Sequence, residues 1–120
     1  MPSKRPLRRL RDVLENADLI SQYTRDLDFE LLKQNKLVRD AVERCLSRVS
    51  EAATKLGNFA ERQFPAHNWK NIRDLGNILR HEYERVDAEI VWNIISHWLN
   101  PLVIEVRTFL AQYPEDQENL

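Results

Sequence analysis

Apolar residues near the start of the chain return every three or four positions: Leu7, Leu10, Val13, Leu14, Ala17 and Ile20. That repeat lines one face of an α-helix and leaves the other face charged, so it predicts a first helix from about Pro6 to Thr24. Asp28 is placed to cap a short helical turn carrying Phe29, Leu31 and Leu32. Asn35 then restarts the chain in a second long helix through Val38, Val42, Cys45, Leu46, Val49, Ala53 and Leu56, with Gly57 where a C-terminal cap belongs. From Asn58 to Asn68 the pattern loosens around Phe59, Phe64 and Pro65, which predicts a turn of helix followed by a loop. Asn68 opens a third helix from Trp69 to about Arg85, and Asp87 a fourth from Ala88 to Leu99. Asn100-Pro101 opens, or kinks into, a last helix ending near Tyr113-Pro114. Short connections favour antiparallel neighbours, so the expected fold is all-α, an up-and-down bundle of four or five helices.

Composition supports that class. The 120 residues fit one domain, 1–120, and 31% charged residues with only two Gly and five Pro suit helices better than the many turns of a β sandwich. No stretch of about twenty apolar residues is present, so no membrane span is expected. A net charge of −1 creates no long-range field for nucleic acid, so an anion must be met by a local basic cluster. Charge is polarised along the chain: Lys4, Arg5, Arg8, Arg9 and Arg11 crowd the start, and Glu115, Asp116 and Glu118 the end. Residues 1–5 and 114–120 are read as charged tails, the acidic one expected to fray. The basic start is followed by an amphipathic segment rather than the apolar run of an export signal, and Cys45 is the single cysteine. Both features point to a cytoplasmic protein without disulfides. No His, Cys, Asp and Glu spacing suggests a metal site, and no cofactor is expected.

The third helix is where the chemistry gathers. On a helical wheel Ile72, Leu75, Leu79, Tyr83 and Val86 fall on one side, and Arg73, Asn77, Arg80, His81 and Glu84 on the other. Two guanidinium groups, an amide and an imidazole suit an anion: Arg offers a planar fork to phosphate, and His exchanges a proton near neutral pH. Metal-free RNA cleavage needs a base for the 2′-hydroxyl, an acid for the leaving oxygen and a cation at the phosphorane. His81, with Arg80 or Arg73, supplies groups of those kinds, and a solvated or dimer-facing surface is the plain alternative. His67 lies in the proline-bearing loop and His97 near a helix end, both read as structural. Trp69, Trp92 and Trp98 are read as core anchors.

The run Trp69-Lys70-Asn71-Ile72-Arg73-Asp74-Leu75-Gly76-Asn77-Ile78-Leu79-Arg80-His81-Glu82-Tyr83 resembles the signature of the HepT family of HEPN proteins. So do Arg39-Asp40-Ala41-Val42-Glu43-Arg44 with Glu51-Ala52-Ala53, and the opening Arg11-Asp12-Val13-Leu14-Glu15-Asn16. The resemblance implies a HEPN bundle that dimerises to bring two motif helices together into a metal-independent RNA-cutting cleft. It also implies a toxin whose antitoxin is a minimal nucleotidyltransferase able to transfer AMP to the motif tyrosine, here Tyr83. In this chain Gly76 stands where the family motif carries its arginine. Either Arg73 or Arg80 then takes over the phosphate, or the chain is a weak or inactive HEPN subunit that dimerises and docks a nucleotidyltransferase or a nucleotide. A glycine inside a helix, costing about 1 kcal/mol relative to Ala, suggests close helix approach or room for substrate.

Overall fold

The computed structural model describes residues 4–81 and 86–120, and every regular element among them is helical. Helix α1 runs over Pro6–Thr24, α2 over Phe29–Gln34, α3 over Lys36–Leu56, α4 over Asn58–Gln63 and α5 over Trp69–His81. Helix α6, Ala88–Asn93, passes through a π-helical segment, Ile94–Leu99, into α7, Asn100–Leu110. Among the described residues this makes four long rods, α1, α3, α5 and α6 through α7, with two short helices between them.

Four of the N-terminal caps expected from sequence are made. Asp28 accepts from the Leu31 N–H at 2.9 Å, Asn35 from Val38 at 3.0 Å, Asn68 from Asn71 at 3.1 Å and Asp87 from Ile90 at 3.0 Å. Each satisfies one of the orphan N–H groups at a helix start. Gly57 ends α3 at φ 57°, a conformation that a side chain would strain.

Asn100 does not cap a new helix. Its backbone is helical and its N–H reaches back to the Ile95 carbonyl, five residues earlier, so the rod continues. Pro101 has no N–H to give the ladder, and the wider π turn lies just before it. The rod ends at Leu110, short of Tyr113, because the Gln112 and Tyr113 N–H groups fold onto the Phe109 and Leu110 carbonyls in a tighter turn.

The rods pack antiparallel. Arg107 near the end of α7 meets Asp18 of α1 at 2.7 Å, and Arg11 near the start of α1 donates to the Pro114 carbonyl at 2.6 Å. Residues 114–120 lie back along the basic start, where Glu118 pairs with Arg5 and Arg8 and its carbonyl accepts from the Arg8 N–H. The core runs from Leu7, Leu10, Val13 and Ile20 of α1 through Val42, Leu46 and Val49 of α3 to Ile72 and Leu75 of α5. Trp69 is buried in it and donates its indole N–H to the Phe64 carbonyl at 2.9 Å. Trp92 packs partly against the core, whereas Trp98 stands at the surface, 36% exposed, and is not the core anchor expected of it. Cys45 is buried, and burial pushes its thiol pKa up, as befits a packed small hydrophobe.

Candidate active site

Helix α5, which carries the candidate residues, crosses α3 at a point of very close approach. The Ser50 hydroxyl of α3 donates to the Arg73 carbonyl at 2.9 Å and accepts from the Gly76 N–H at 3.0 Å. A Cβ at position 76 would lie 2.5 Å from the Ser50 Oγ and 3.2 Å from its Cβ. Gly76 is therefore there to let the helices touch, the first of the two reasons its sequence context allowed.

Two arginines flank that contact and behave differently. Arg73 turns toward the junction of α3 and α4. Its Nη1 and Nη2 donate to the two carboxylate oxygens of Glu61 at 2.9 and 2.6 Å, Nη2 also to the Gly57 carbonyl at 2.8 Å, and Nε to the Ala53 carbonyl at 3.2 Å. All three nitrogens of the guanidinium are engaged: Arg73 holds the Glu61 carboxyl below the usual carboxylate range, and Glu61 raises the Arg73 pKa in return. Arg80 lies on the other side. Its Nη2 donates to the Asn77 Oδ1 at 3.0 Å, and its Nη1 sits 3.1 Å from where a Cβ of residue 76 would be. The Arg80 guanidinium thus covers the spot from which a side chain at 76 would start.

Asn77, Arg80 and His81 are all exposed, at the last turn of α5. The structure bonds Arg80 to Asn77, leaves His81 exposed at the next position and ties Arg73 into the scaffold. Tyr83 and Glu84, along with the expected end of the helix at Arg85, fall outside the described residues. Beside Arg80 lies a cleft of about 620 Å³ between α3 and α5, with Arg44, Ser47, Glu43, Leu79 and Arg80 in its walls. Burial, and next the Asp40 carboxylate, push the Glu43 carboxyl pKa upward. On the opposite side of α5 an apolar groove of about 370 Å³ is lined by Ile78, Ile90, Ile94 and Trp98.

Of the remaining histidines, His67 pairs with Glu105 and packs edge-on against Trp69, and His97 is exposed within the π segment, away from any helix end. Among the described residues no three His, Cys, Asp or Glu side chains gather as metal ligands, and no helix is long and apolar enough to cross a membrane. Ser50 and Glu61 went unread in the sequence, and Arg44 entered only as part of the family motif. Ser50 carries a signal, since it occupies a buried position on the apolar stripe of α3 one turn after Leu46.

Comparison with known proteins agrees with this architecture. Residues 13–109 match the model of the family described as Ribonuclease HepT-like. The chain is 36% identical over 87 residues to "Putative RNase MJ1380" of Methanocaldococcus jannaschii, covering 72% of this chain and 80% of that one. To "Putative RNase MJ0127" of the same organism it is 29% identical over 119 residues, covering 99% and 98%. To "Probable ribonuclease HepT" of Thermococcus cleftensis it is 30% identical over 87 residues, covering 72% and 79%. No solved structure matches. The chain belongs to the HepT-like ribonuclease family, and its helical bundle is the HEPN bundle that its sequence motifs implied.

Proposed function

We propose that the chain is a metal-independent RNA endonuclease in which His81 moves the proton, Arg80 steadies the phosphate and Asn77 orients Arg80. The observation that carries this reading is the Arg80 guanidinium lying over Gly76 and held there by Asn77. A guanidinium beside the position from which the family's arginine would extend supports Arg80 as its substitute, delivered from the next turn of the helix. Arg73, already committed to Glu61 and two carbonyls, acts as the brace that fixes α5.

In the reaction a base removes the 2′-hydroxyl proton, the 2′-oxygen bonds to phosphorus, and the 5′-oxygen leaves with a proton from an acid. The products are a 2′,3′-cyclic phosphate and a 5′-hydroxyl. One His81 per chain supplies one of the two proton-transfer groups, so the reading includes a homodimer in which a second motif helix supplies the other. The exposed Ile90 and Trp98 beside α5 favour that dimer, because an apolar groove next to the motif gains by being covered. Resemblance to the family extends the reading: a cytoplasmic toxin, held in check by a minimal nucleotidyltransferase antitoxin that transfers AMP to Tyr83. A bulky anion at Tyr83 would repel substrate phosphate close to His81.

The test is incubation of purified protein with single-stranded RNA in excess chelator. Cleavage is expected, falling by about 10²-fold or more in His81→Ala; an undiminished rate in that variant overturns the assignment. A chain that forms dimers and captures a nucleotidyltransferase or a nucleotide but leaves RNA intact would instead be the binding subunit, the reading favoured by glycine at position 76.

A further inference from the structure

We propose that the exposed wall of α3, centred on Arg44 and Arg48, is a phosphate-binding track that leads the backbone of single-stranded RNA past Arg80 and His81. The inference rests on the ribonuclease reading above.

Helix α3 carries five cations, and three are spoken for. Lys36 pairs with Asp40 at 2.8 Å, Lys55 pairs with Glu51 at 3.1 Å, and Arg39 donates to the Leu32 carbonyl at 3.0 Å and to the Lys33 carbonyl, closing the end of α2. Arg44 and Arg48 are exposed and form no ion pair among the described residues; Arg48 leans only on the Cys45 thiol. One turn apart, they are separated by about 6 Å along the helix axis and face two different recesses. Arg44 shares with Arg80 the cleft of about 620 Å³ between α3 and α5. Arg48 shares with Arg9 and Lys55 a recess of about 320 Å³ between α1 and α3.

Arg80 joins the two. It lines the first cleft and lies beside Gly76, which bonds to Ser50 of α3, the residue before Glu51 in the wall of the second. The carboxylates of these walls that stand nearest a cation are occupied: Asp12 holds Arg9, Glu51 holds Lys55 and Asp40 holds Lys36. Glu15 and Glu43 are the acids left against Arg44, Arg48 and Arg80. Three guanidinium forks on one surface repel one another until an anion joins them, and a chain of phosphodiesters is the anion that supplies one for each. A strand lying along α3 presents a phosphate to Arg48, the next to Arg44, and brings a neighbouring ribose to the end of α5.

The test uses the full chain and a labelled single-stranded oligoribonucleotide with every 2′-hydroxyl methylated, which binds without being cut. Anisotropy is followed across salt concentration for the wild type, Arg44→Gln/Arg48→Gln and Arg44→Lys/Arg48→Lys, with Lys70→Ala as control, since Lys70 lies at the far end of α5, paired with Asp74. Each phosphate contact contributes about 0.7 to the slope of log affinity against log salt. The Gln pair should flatten the slope by about 1.4 units, two such contacts, while the Lys pair keeps it and the control matches wild type. Wild-type binding that is absent, or a Gln pair with the wild-type slope and a native melting curve, overturns the track. Cleavage of unmodified RNA is scored separately. Steep, Arg-dependent binding without cleavage sinks the nuclease reading and leaves the track; cleavage unaffected in the Gln pair does the reverse.

Discussion

The two halves of α5 put similar residues to opposite uses. From Trp69 to Gly76 the helix is clamped: an indole in the core, a serine bridge to α3, and an arginine with every arm of its fork occupied. From Asn77 to His81 it carries an amide, a guanidinium and an imidazole in the open, with Asn77 and Arg80 tied only to each other among the described residues. Seven positions along the chain, about two helical turns, take the helix from an arginine that holds the protein together to one free to hold something else. Side-chain chemistry therefore does not assign the role. What assigns it is whether acceptors of the protein already fill the fork.

Gly76 marks the boundary, and changing it should have the largest effect. Gly76→Ala gains about 1 kcal/mol of helix propensity but places a methyl 2.5 Å from the Ser50 Oγ. Overpacking of that kind costs about 1–3 kcal/mol, and loss of the serine bridge adds to it. A clear fall in melting temperature is expected, partly reversed by adding Ser50→Ala. A rise in melting temperature for the single variant would show that the helices have room to spare, and the boundary would dissolve.

The two arginines come next. Arg73→Ala removes a bidentate ion pair and two bonds to carbonyls, a loss of about 2 kcal/mol, while Arg80→Ala should stay within about 0.5 kcal/mol of wild type. Denaturant unfolding of the pair reads the contrast directly. Equal losses would erase the distinction between clamp and open end. In cleavage assays the order should invert, with Arg80→Ala costing about 10²-fold in a protein that melts normally.

The smallest effect concerns acid. Glu61 is bound to Arg73, so its carboxyl titrates below the ordinary value of 4.5. A depressed carboxylate adds stability that is fully present above the unfolded pKa and disappears as pH falls through the folded one. Because Glu61 is half exposed, water screens the pair and the amount is about 1 kcal/mol or less. Glu61→Gln should be less stable than wild type at neutral pH and lose less on acidification below about pH 4.5. Parallel acid unfolding curves for the two proteins would place the work of Arg73 on the carbonyls of α3 instead.

Much of the scaffold could be read from the chain. Asp28, Asn35, Asn68 and Asp87 announced four helix starts because capping is local chemistry, decided within three residues. The stripe Leu7, Leu10, Val13 and Ile20 announced the buried face of α1 for the same reason. The sorting of Arg73 from Arg80 was not local. It depends on Glu61, twelve residues before Arg73, and on the carbonyls of Ala53 and Gly57, which reach Arg73 only after α3, α4 and α5 have packed. On a helical wheel the two arginines share a side. Trp98 was misjudged in a related way, because neighbouring Ile and Leu residues suggested burial while the π segment turned its ring toward the surface groove.

That π segment also fixes the phase of the last rod. Buried positions along it fall at Val91 and Ile94, then Leu99, Leu102, Val106 and Leu110. Every step is three or four residues except the one across the segment, which is five. In a regular α-helix five residues sweep about 500°, leaving the next apolar side chain about 140° out of line. The wider turn takes up that surplus. It works as a splice between two apolar stripes written out of phase, one that packs α6 against α2 and α3 and one that seats α7 against α1.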